Sequence, residues 1–191
     1  MECCRKYEDD VNVHKAENYS DITDNTYTSQ QVVEMEANIL KLLKFEMGSP
    51  TARTFLRRYI TACRPRDPAK AKKLEFLCSY LAELSLMDYD CTMFKPSVVA
   101  AACLFVARFT ISPNTRPWNL TLHRNTGYNV SDLECCIFSI QDLQLNGRFG
   151  RWPALEEKAI KDKYRHCKLE SVSAMLPLNE IPDYFLKDIK Q

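Results

Sequence analysis

Residues 96–110 carry the sequence feature that most restricts the fold. They read PSVVAAACLFVARFT, so a helix formed by them is apolar on all sides apart from Arg108. Such a helix has to be buried, because otherwise one of its apolar faces would contact water. We therefore predict a central helix here, with its neighbours packed around it. The longest apolar run, residues 97–107, is far shorter than the about 20 residues that cross a bilayer.

The composition indicates an all-α protein. Of the 191 residues, 46% are hydrophobic and only four are glycine, which favours helices over a sheet-rich fold. This length is enough for one large or two small domains. The 26 basic and 25 acidic residues give a net charge of +1. The overall charge therefore points neither to nucleic acid nor to an anionic membrane.

Apolar residues at helical spacing predict four amphipathic helices in the second part of the chain. They span residues 50–63, 68–87, 131–146 and 153–166. In the longest of them the apolar stripe consists of Leu74, Leu77, Leu81 and Leu84, thickened by Tyr80. The last residues, 169–191, are expected to be a loosely packed tail.

Residues typical of helix ends mark two further boundaries in this part of the chain. Gly127 is expected to be the C′ glycine of a short helix that ends near Asn125. Ser131 and Glu134 have the spacing of a capping box, so the helix over residues 131–146 is expected to begin there.

A fifth amphipathic helix is predicted from residue 29 to about residue 44. Thr28 is the expected N-cap, and Gln31 follows three residues later, as a capping box requires. Ser49 and Pro50 are the expected N-cap and first residue of the next helix. Apolar residues lie around more than half of the predicted helix, so we expect a buried central element. These residues are Val32, Val33, Met35, Ile39, Leu40, Leu42 and Leu43.

Glu36 is the one charge on an apolar face of this helix. It lies three residues after Val33 and four before Leu40, so the three share a face. An ionised carboxylate beside apolar groups is costly unless another group pairs with it or donates a hydrogen bond to it. Two interpretations follow. Either Glu36 lies at the edge of the face and reaches water, or the backbone amides or a lysine of a partner dock there.

Cysteine and histidine are not arranged as a metal site or a disulfide framework. The nine cysteines are odd in number, two pairs are adjacent in sequence, and no C-x-x-C occurs. The three histidines are scattered, so we expect no zinc site and no other cofactor. Most cysteines lie on apolar helix faces, which predicts small core residues in a reducing compartment.

The sequence contains no recognisable catalytic motif. It has no G-x-G-x-x-G, P-loop, H-E-x-x-H or G-x-S-x-G pattern, and four glycines are too few for a phosphate cradle. We therefore expect a helical protein that binds other proteins rather than an enzyme. The basic cluster Lys70, Lys72 and Lys73 is expected to be a solvated helix face, with a role in nuclear import as the weaker alternative.

Three segments together resemble the cyclin family. TDNTYT, QQVVEME and LLKFEMGSPTARTFLRR occur in the order and spacing of the junction between the two cyclin boxes of A-type cyclins, and are most similar to the plant group. The resemblance continues through LAELSLMDYD, KPSVVAAACLFVARF and TGYNVSDLECC. It implies an all-α cyclin fold. Residues 1–47 would be the remnant of an N-terminal box, residues 48–168 a complete five-helix C-terminal box, and residues 169–191 a tail.

The resemblance also implies a function and a set of contacts. Cyclins bind cyclin-dependent serine/threonine kinases, hold the mobile helix of the kinase inward and so align its Lys–Glu ion pair and its metal-binding Asp. In the family a lysine and a glutamate grip the backbone beside that helix. The resemblance implies no nucleic acid, membrane or small-molecule ligand, and a place in the nucleus or also the cytoplasm. The implied kinase-binding residues are Lys6, Tyr7, Glu36, Leu40, Phe45 and Met47.

The sequence departs from the family at its amino-terminal side. The first two helices of the first box, nearly all of the third and the long regulatory region before them have no counterpart. The helix with the family's substrate-docking patch is among the missing parts. The helix after residue 22 would then expose an apolar face, which marks an interface or an aggregation risk.

Three alternatives to a kinase-activating cyclin are considered. One alternative is a truncated cyclin-box module that binds without activating a kinase, or an incomplete gene product. Transcription factors with cyclin-like boxes bind DNA through a basic face, which this balanced chain lacks. An enzyme would need a catalytic group that the sequence does not show.

Overall fold

The computed structural model describes residues 15–146, 154–176 and 179–188, and all regular structure within these ranges is helical. The chain divides into two compact units, Met1–Ser49 and Pro50–Gln191, called here the first and the second unit. None of the described helices is long and apolar enough to cross a membrane.

Two helices make up the described part of the first unit. Helix α1 is Ala16–Ile22 and helix α2 is Ser29–Leu42. The two helices pack against each other. In the loop between them the hydroxyl of Ser20 donates to the carbonyl of Tyr27 over 2.6 Å. This bond ties the end of α1 to the residue before the N-cap of α2.

The second unit contains the remaining described helices. They are α3 (Ala52–Ala62), α4 (Pro68–Ser85), α5 (Pro96–Ile111), α6 (Leu120–Thr126), α7 (Val130–Asn146), α8 (Ala154–Arg165) and the short α9 (Asp183–Leu186). Three 3₁₀ turns connect them, at Asp90–Met93, Cys167–Leu169 and Val172–Ala174.

Helix α5 is the centre of the second unit, and the prediction of a central helix is confirmed. Every residue from Ala100 to Ala107 has 0% of its surface exposed. Helices α3, α4 and α7 all pack against it. Small side chains such as Ala100, Ala101 and Ala102 let these neighbours approach closely, while Phe105 and Phe109 fill the space between them.

The long helix α4 also follows its predicted pattern. Asp67 caps its start by accepting a hydrogen bond from the N–H of Ala69 over 3.0 Å, and Pro68 follows at the first helical position. The predicted stripe of four leucines and Tyr80 is buried. Helix α6 ends at Gly127 with φ of 78°, the left-handed conformation expected of a C′ glycine.

Two predicted helix starts are wrong by one or two residues. Helix α3 begins at Ala52 with the extended Thr51 as its N-cap, so Ser49 and Pro50 lie before it. The side chain of Thr51 makes no capping hydrogen bond, but its backbone carbonyl accepts the hydrogen bonds from the N–H groups of Thr54 and Phe55 that open the helix. Helix α7 begins at Val130 rather than after a Ser131 cap.

The predicted Ser131–Glu134 capping box is replaced by interactions of other residues. The N–H of Asn129 donates to the carboxylate of Asp132 over 2.8 Å, which satisfies one backbone group before the first turn. Ser131 instead donates to Asp188, from its N–H over 3.0 Å and from its hydroxyl over 2.9 Å. The hydroxyl of Ser131, which the local pattern assigned to a cap, is thus bonded to Asp188, 57 positions away in the sequence.

The expectation of a loosely packed tail is wrong for its described residues. Val172, Ile181 and Phe185 are buried in the core of the second unit. The ring of Phe185 meets that of Phe109 edge to face, with centroids 6.2 Å apart. These anchors are irregularly spaced in a segment with little regular helix, so helical periodicity could not reveal them.

The prediction that cysteines are small core residues is confirmed for four of the seven cysteines that the structure describes. Cys78, Cys91, Cys103 and Cys136 are buried, whereas Cys135 is exposed. Burial raises the pKa of the Cys78 and Cys103 thiols well above the usual value, so both stay protonated.

Candidate protein-binding surface

Four of the six implied kinase-binding residues lie in the described part of the first unit. Glu36 and Leu40 are on α2, and Phe45 and Met47 follow its C-terminal end. Lys6 and Tyr7 lie outside the described residues, so their roles stay predictions. The candidate surface is therefore built here from α2 and the residues that leave it.

The start of α2 is fixed by the predicted capping box, which is confirmed. The N–H of Gln31 donates to the hydroxyl of Thr28 over 3.3 Å, and the N–H of Thr28 donates to the amide oxygen of Gln31 over 2.9 Å. Both orphan backbone donors are thus satisfied reciprocally. The cap sets the first turn, and the register of the helix then determines which side chains share a face with Glu36.

The apolar side of α2 is exposed, so the expectation of a buried central element is wrong for this helix. None of its residues is buried. Val33 is 49% exposed, Ile39 39% and Leu43 47%. The helical pattern correctly identified an apolar face, but a pattern cannot show whether the surface that covers it belongs to the same chain.

Glu36 lies in the middle of this face. Its neighbours at helical spacing are Val33, Ile39, Leu40 and Leu43, and we call these five residues the Glu36 face. Glu36 and Leu40 are half-buried, and the other three are exposed. The arrangement surrounds one hydrogen-bond acceptor with apolar side chains, so it can bind a helix end whose N–H groups point outward.

The chain leaves α2 through two residues with left-handed backbone. Lys44 has φ of 50° and Phe45 φ of 60°. The N–H of Lys44 donates to the carbonyl of Lys41 over 3.1 Å, and that of Phe45 to the carbonyl of Leu40 over 2.9 Å. These two bonds define a Schellman motif, so the backbone of Phe45 is fixed beside that of Leu40.

The residues after this turn present further apolar surface. Phe45 is 69% exposed, although its backbone is held on both sides. The N–H of Met47 donates to the carbonyl of Phe45 over 3.1 Å, and Met47 is half-buried. Because the backbone of Phe45 is already ordered, little conformational entropy is lost when a partner covers its exposed ring.

Sequence reasoning missed part of this surface. Val33, Ile39 and Leu43 were assigned to a buried element, although their spacing around Glu36 also fits a binding face. The left-handed Lys44 was missed because lysine gives no signal of this conformation, unlike glycine. The signal that could have identified the face was the charge of Glu36 in the middle of an apolar stripe.

Comparison with known proteins identifies the family. The family profile of the cyclin C-terminal domain matches residues 50–178, and that of the cyclin N-terminal domain matches residues 2–48. The chain belongs to the cyclin family. The resemblance drawn from the sequence is thereby confirmed, and the helical structure agrees with the cyclin fold.

Several plant proteins are similar to this cyclin chain. A rice protein named as cyclin-F3-2 is 54% identical, with 97% of the chain and 44% of the relative aligned. Rice cyclin-A3-2 is 48% identical over 97% of the chain and 47% of the relative. The carrot G2/mitotic-specific cyclin C13-1 is 46% identical over 96% of the chain and 52% of the relative. The chain thus spans about half the length of these relatives.

The described candidate surface falls in the part matched to the N-terminal domain. Residues 2–48 contain α1, α2 and the turn after it, so the whole Glu36 face lies within this match. The separate match from residue 50 onward covers the helices that surround α5. The cyclin chain therefore presents its exposed apolar face from the N-terminal family domain.

Proposed function

We propose that this cyclin chain is a regulatory subunit that binds and activates a cyclin-dependent serine/threonine kinase in cell-cycle control. The observation that carries the proposal is the Glu36 face, a half-buried carboxylate among exposed apolar side chains in the match to the cyclin N-terminal domain. The names of the carrot and rice relatives support the role in the cell cycle.

The apolar part of the face supplies the affinity of the proposed contact. Val33, Ile39 and Leu43 each keep about two fifths to one half of their surface exposed, and Phe45 keeps more than that. Burying apolar surface contributes roughly 25 cal/mol per Å² before the costs of association are subtracted. A helix of the kinase that covers these side chains would exclude water from the carboxylate as well.

In the proposed contact, the carboxylate of Glu36 fixes the orientation of the bound kinase segment. Ionised carboxylates make short, strong hydrogen bonds to backbone N–H groups, and these bonds gain strength where water is excluded. A kinase backbone segment beside its mobile helix offers such donors. The cyclin chain would then position the mobile helix of the kinase and take no part in the reaction itself. Phosphoryl transfer depends on the kinase's own ion pair and metal-binding Asp.

The first experiment is co-purification of the chain with a cyclin-dependent kinase, followed by a histone phosphorylation assay. Glu36→Ala should weaken the complex by at least about tenfold, because truncating one partner of a buried charged hydrogen bond costs roughly 2–5 kcal/mol. Glu34→Ala is the matched control. Glu34 is exposed, lies on the other side of α2 and accepts a bond from Gln30 over 3.3 Å.

The outcome of this pair of variants decides the proposal. A complex that survives Glu34→Ala but not Glu36→Ala places the kinase on the Glu36 face. Equal binding by both variants would show that the kinase, if it binds, uses another surface. Failure of the unmodified chain to bind any cyclin-dependent kinase would overturn the proposal itself.

A second candidate function is a cyclin-box module that binds a partner without activating a kinase. The observation in its favour is that the exposed apolar side chains of the Glu36 face can bind a partner whether or not the partner is thereby activated. The same assay separates the two functions. A complex that forms through Glu36 but leaves histone phosphorylation at the level of the kinase alone supports the non-activating module.

We further propose that the chain acts in the nucleus, with the cytoplasm as a second compartment. The proposal follows from the cell-cycle role and is tested by imaging a fluorescent fusion of the whole chain in dividing plant cells. Fluorescence confined to the cytoplasm throughout the cycle would overturn it.

A further inference from the structure

A groove runs between α3 and α4 in the second unit, on elements that take no part in the Glu36 face. Its volume is about 500 Å³. The residues from α3 and its C-terminal end that line it lie between Thr51 and Arg64, and those from α4 and its end lie between Ala71 and Leu86. The groove is thus a cleft between two helices rather than a cavity in the core.

The floor of the groove is apolar. Leu56 and Ala71 are buried at its base, with 4% and 3% of their surface exposed. Ile60 and Ala82 are half-buried beside them. Leu86 lies at one end and is 76% exposed, so the apolar floor continues onto the open surface. A partner with a row of apolar side chains could cover this floor along its length.

The wall formed by α3 is basic. Arg53 and Arg57 are one helical turn apart, and Arg64 follows on the same side just after the helix. All three are exposed, and none of the ion pairs found within the described residues involves them. Their charges are therefore available to a partner.

The wall formed by α4 does not neutralise this charge. Glu83 is already paired with the ammonium of Lys163 at 2.8 Å and accepts a hydrogen bond from the hydroxyl of Tyr164 at 2.7 Å. Glu75 is the other acidic residue on the lining. The groove consequently has an excess of positive charge, concentrated on the α3 side.

The length of the groove indicates what kind of ligand fits it. Helix α3, which lines the groove from Ala52 onward, has 11 residues and is about 16 Å long at 1.5 Å per residue. A helix of about three turns has the same length. Docking of an amphipathic helix into an apolar groove is a common mode of peptide recognition, with anchors at i, i+3 or i+4 and i+7.

We propose that the α3–α4 groove binds an amphipathic helix of a partner protein. Apolar anchors of that helix would cover Leu56, Ile60 and Ala82, and Asp or Glu residues along one edge would face Arg53 and Arg57. This site is formed by residues of the second unit, whereas the Glu36 face is formed by residues of the first. It would give the chain a second binding surface, selective for acidic helices.

The test uses the full chain and two synthetic 15-residue helical peptides labelled with a fluorophore. One carries leucines at helical spacing and glutamates along one edge, and the other has lysine in place of every glutamate. We expect the acidic peptide to bind at least about tenfold more tightly, measured by fluorescence anisotropy, because like charges across an interface are strongly disfavoured. Its affinity should fall as salt is added.

Variants identify the groove as the binding site. Arg53→Glu with Arg57→Glu should reverse the preference between the two peptides. Arg58→Glu with Arg66→Glu is the matched control, because both residues are exposed but neither lines the groove. Ala82→Trp fills the floor and should weaken binding of the acidic peptide without changing the charge.

Several results would overturn the proposal. Equal affinity for both peptides would show that the basic wall does not select the partner. An equal loss in the control pair would show a general effect of charge, and full binding by Ala82→Trp would place the peptide elsewhere. No binding of the acidic peptide at millimolar concentration would show that the groove does not accept a helix, even if it takes up a small apolar dye.

Discussion

The N–H of Phe45 donates a hydrogen bond of 2.9 Å to the carbonyl of Leu40, and this bond closes the C-terminal end of α2. Both residues belong to the implied kinase contact, so the hydrogen bond that ends the helix also fixes two residues of the candidate surface next to each other. The residue before Phe45 is Lys44, which adopts the left-handed conformation that glycine usually supplies. This conformation costs an L-residue about 1–2 kcal/mol.

Lys44→Gly should therefore strengthen this helix end. Glycine removes the steric cost, and about 0.4–1 kcal/mol of the gain is offset because glycine is more flexible in the unfolded chain. We expect a net stabilisation of roughly 0.5–1 kcal/mol, seen as a several-fold slower hydrogen exchange of the Phe45 amide. Lys41→Gly, inside the helix, should have the opposite sign and cost about 1 kcal/mol. Faster exchange in Lys44→Gly would contradict the prediction.

The same helix ending occurs twice more in the described chain without glycine. The N–H of Asn25 donates to the carbonyl of Ser20 over 3.1 Å, and that of Ser171 to the carbonyl of His166 over 3.3 Å. In each case the donor and the residue before it have positive φ. Among the described helices only α6 uses a glycine in this way, at Gly127. In a chain with four glycines, these endings are formed without the glycine that usually signals them.

Phe185→Ala should destabilise the second unit strongly. Phe185 is 3% exposed and its ring meets that of Phe109, so its loss leaves a cavity in the core. Truncation of a buried phenylalanine costs about 3–5 kcal/mol. The measurement is urea unfolding followed by tryptophan fluorescence.

The neighbouring residue is the control for this prediction. Tyr184 is 59% exposed, and Tyr184→Ala should cost less than about 1 kcal/mol. An effect of Phe185→Ala below about 1 kcal/mol would mean that the C-terminal segment contributes little to the fold, as its sequence first suggested.

Local patterns predicted the fold where the interactions are local. The capping box of Thr28 and Gln31 and the predominantly apolar α5 both follow from residues within one or two turns of each other. The start of α7 was not predictable in this way, because Ser131 bonds with Asp188. A hydrogen bond across 57 residues leaves no periodic trace in the sequence.

The sequence predicted which residues share a face of α2, but it did not predict that this face is exposed. The position of Glu36 between Val33 and Leu40 is a property of helical spacing, and the structure places all three on one face as expected. Whether that face is covered depends on surfaces distant in sequence or on another protein. For this reason the same apolar pattern predicts burial in α5 correctly and in α2 wrongly.

Adjacent cysteines on α7 should differ sharply in reactivity. Cys135 is exposed, whereas Cys136 is 1% exposed and burial raises the pKa of its thiol to about 12. The thiolate is the reactive form, so at pH 8 only about one Cys136 thiol in ten thousand is reactive even before steric protection is considered. Iodoacetamide should therefore label Cys135 in the native chain and Cys136 only after unfolding.

Single variants make this comparison quantitative. In native protein, Cys135→Ser should abolish labelling of the α7 peptide, and Cys136→Ser should leave it unchanged, as measured by mass spectrometry. Labelling of α7 that persists in Cys135→Ser would show that the helix opens readily and that Cys136 is not protected.

The bond between Ser131 and Asp188 should weaken in acid. The hydrogen bond from the backbone of Ser131 is the main cause that lowers the pKa of Asp188, and the Ser131 hydroxyl acts in the same direction. A lowered pKa means that the folded chain favours the ionised carboxylate. Its contribution to stability is therefore present above the ordinary aspartate pKa of about 3.9 and is lost as pH falls through the lower, folded value.

This dependence can be followed at one atom. The amide proton of Ser131 should shift in NMR spectra with a midpoint below about 3.9, because its acceptor becomes protonated there. Asp188→Asn should abolish the transition, whereas Asp183→Asn, on the same segment but without a bond to Ser131, should leave it in place. A midpoint at or above the ordinary aspartate value would mean that the carboxylate gains nothing from its bonds with Ser131.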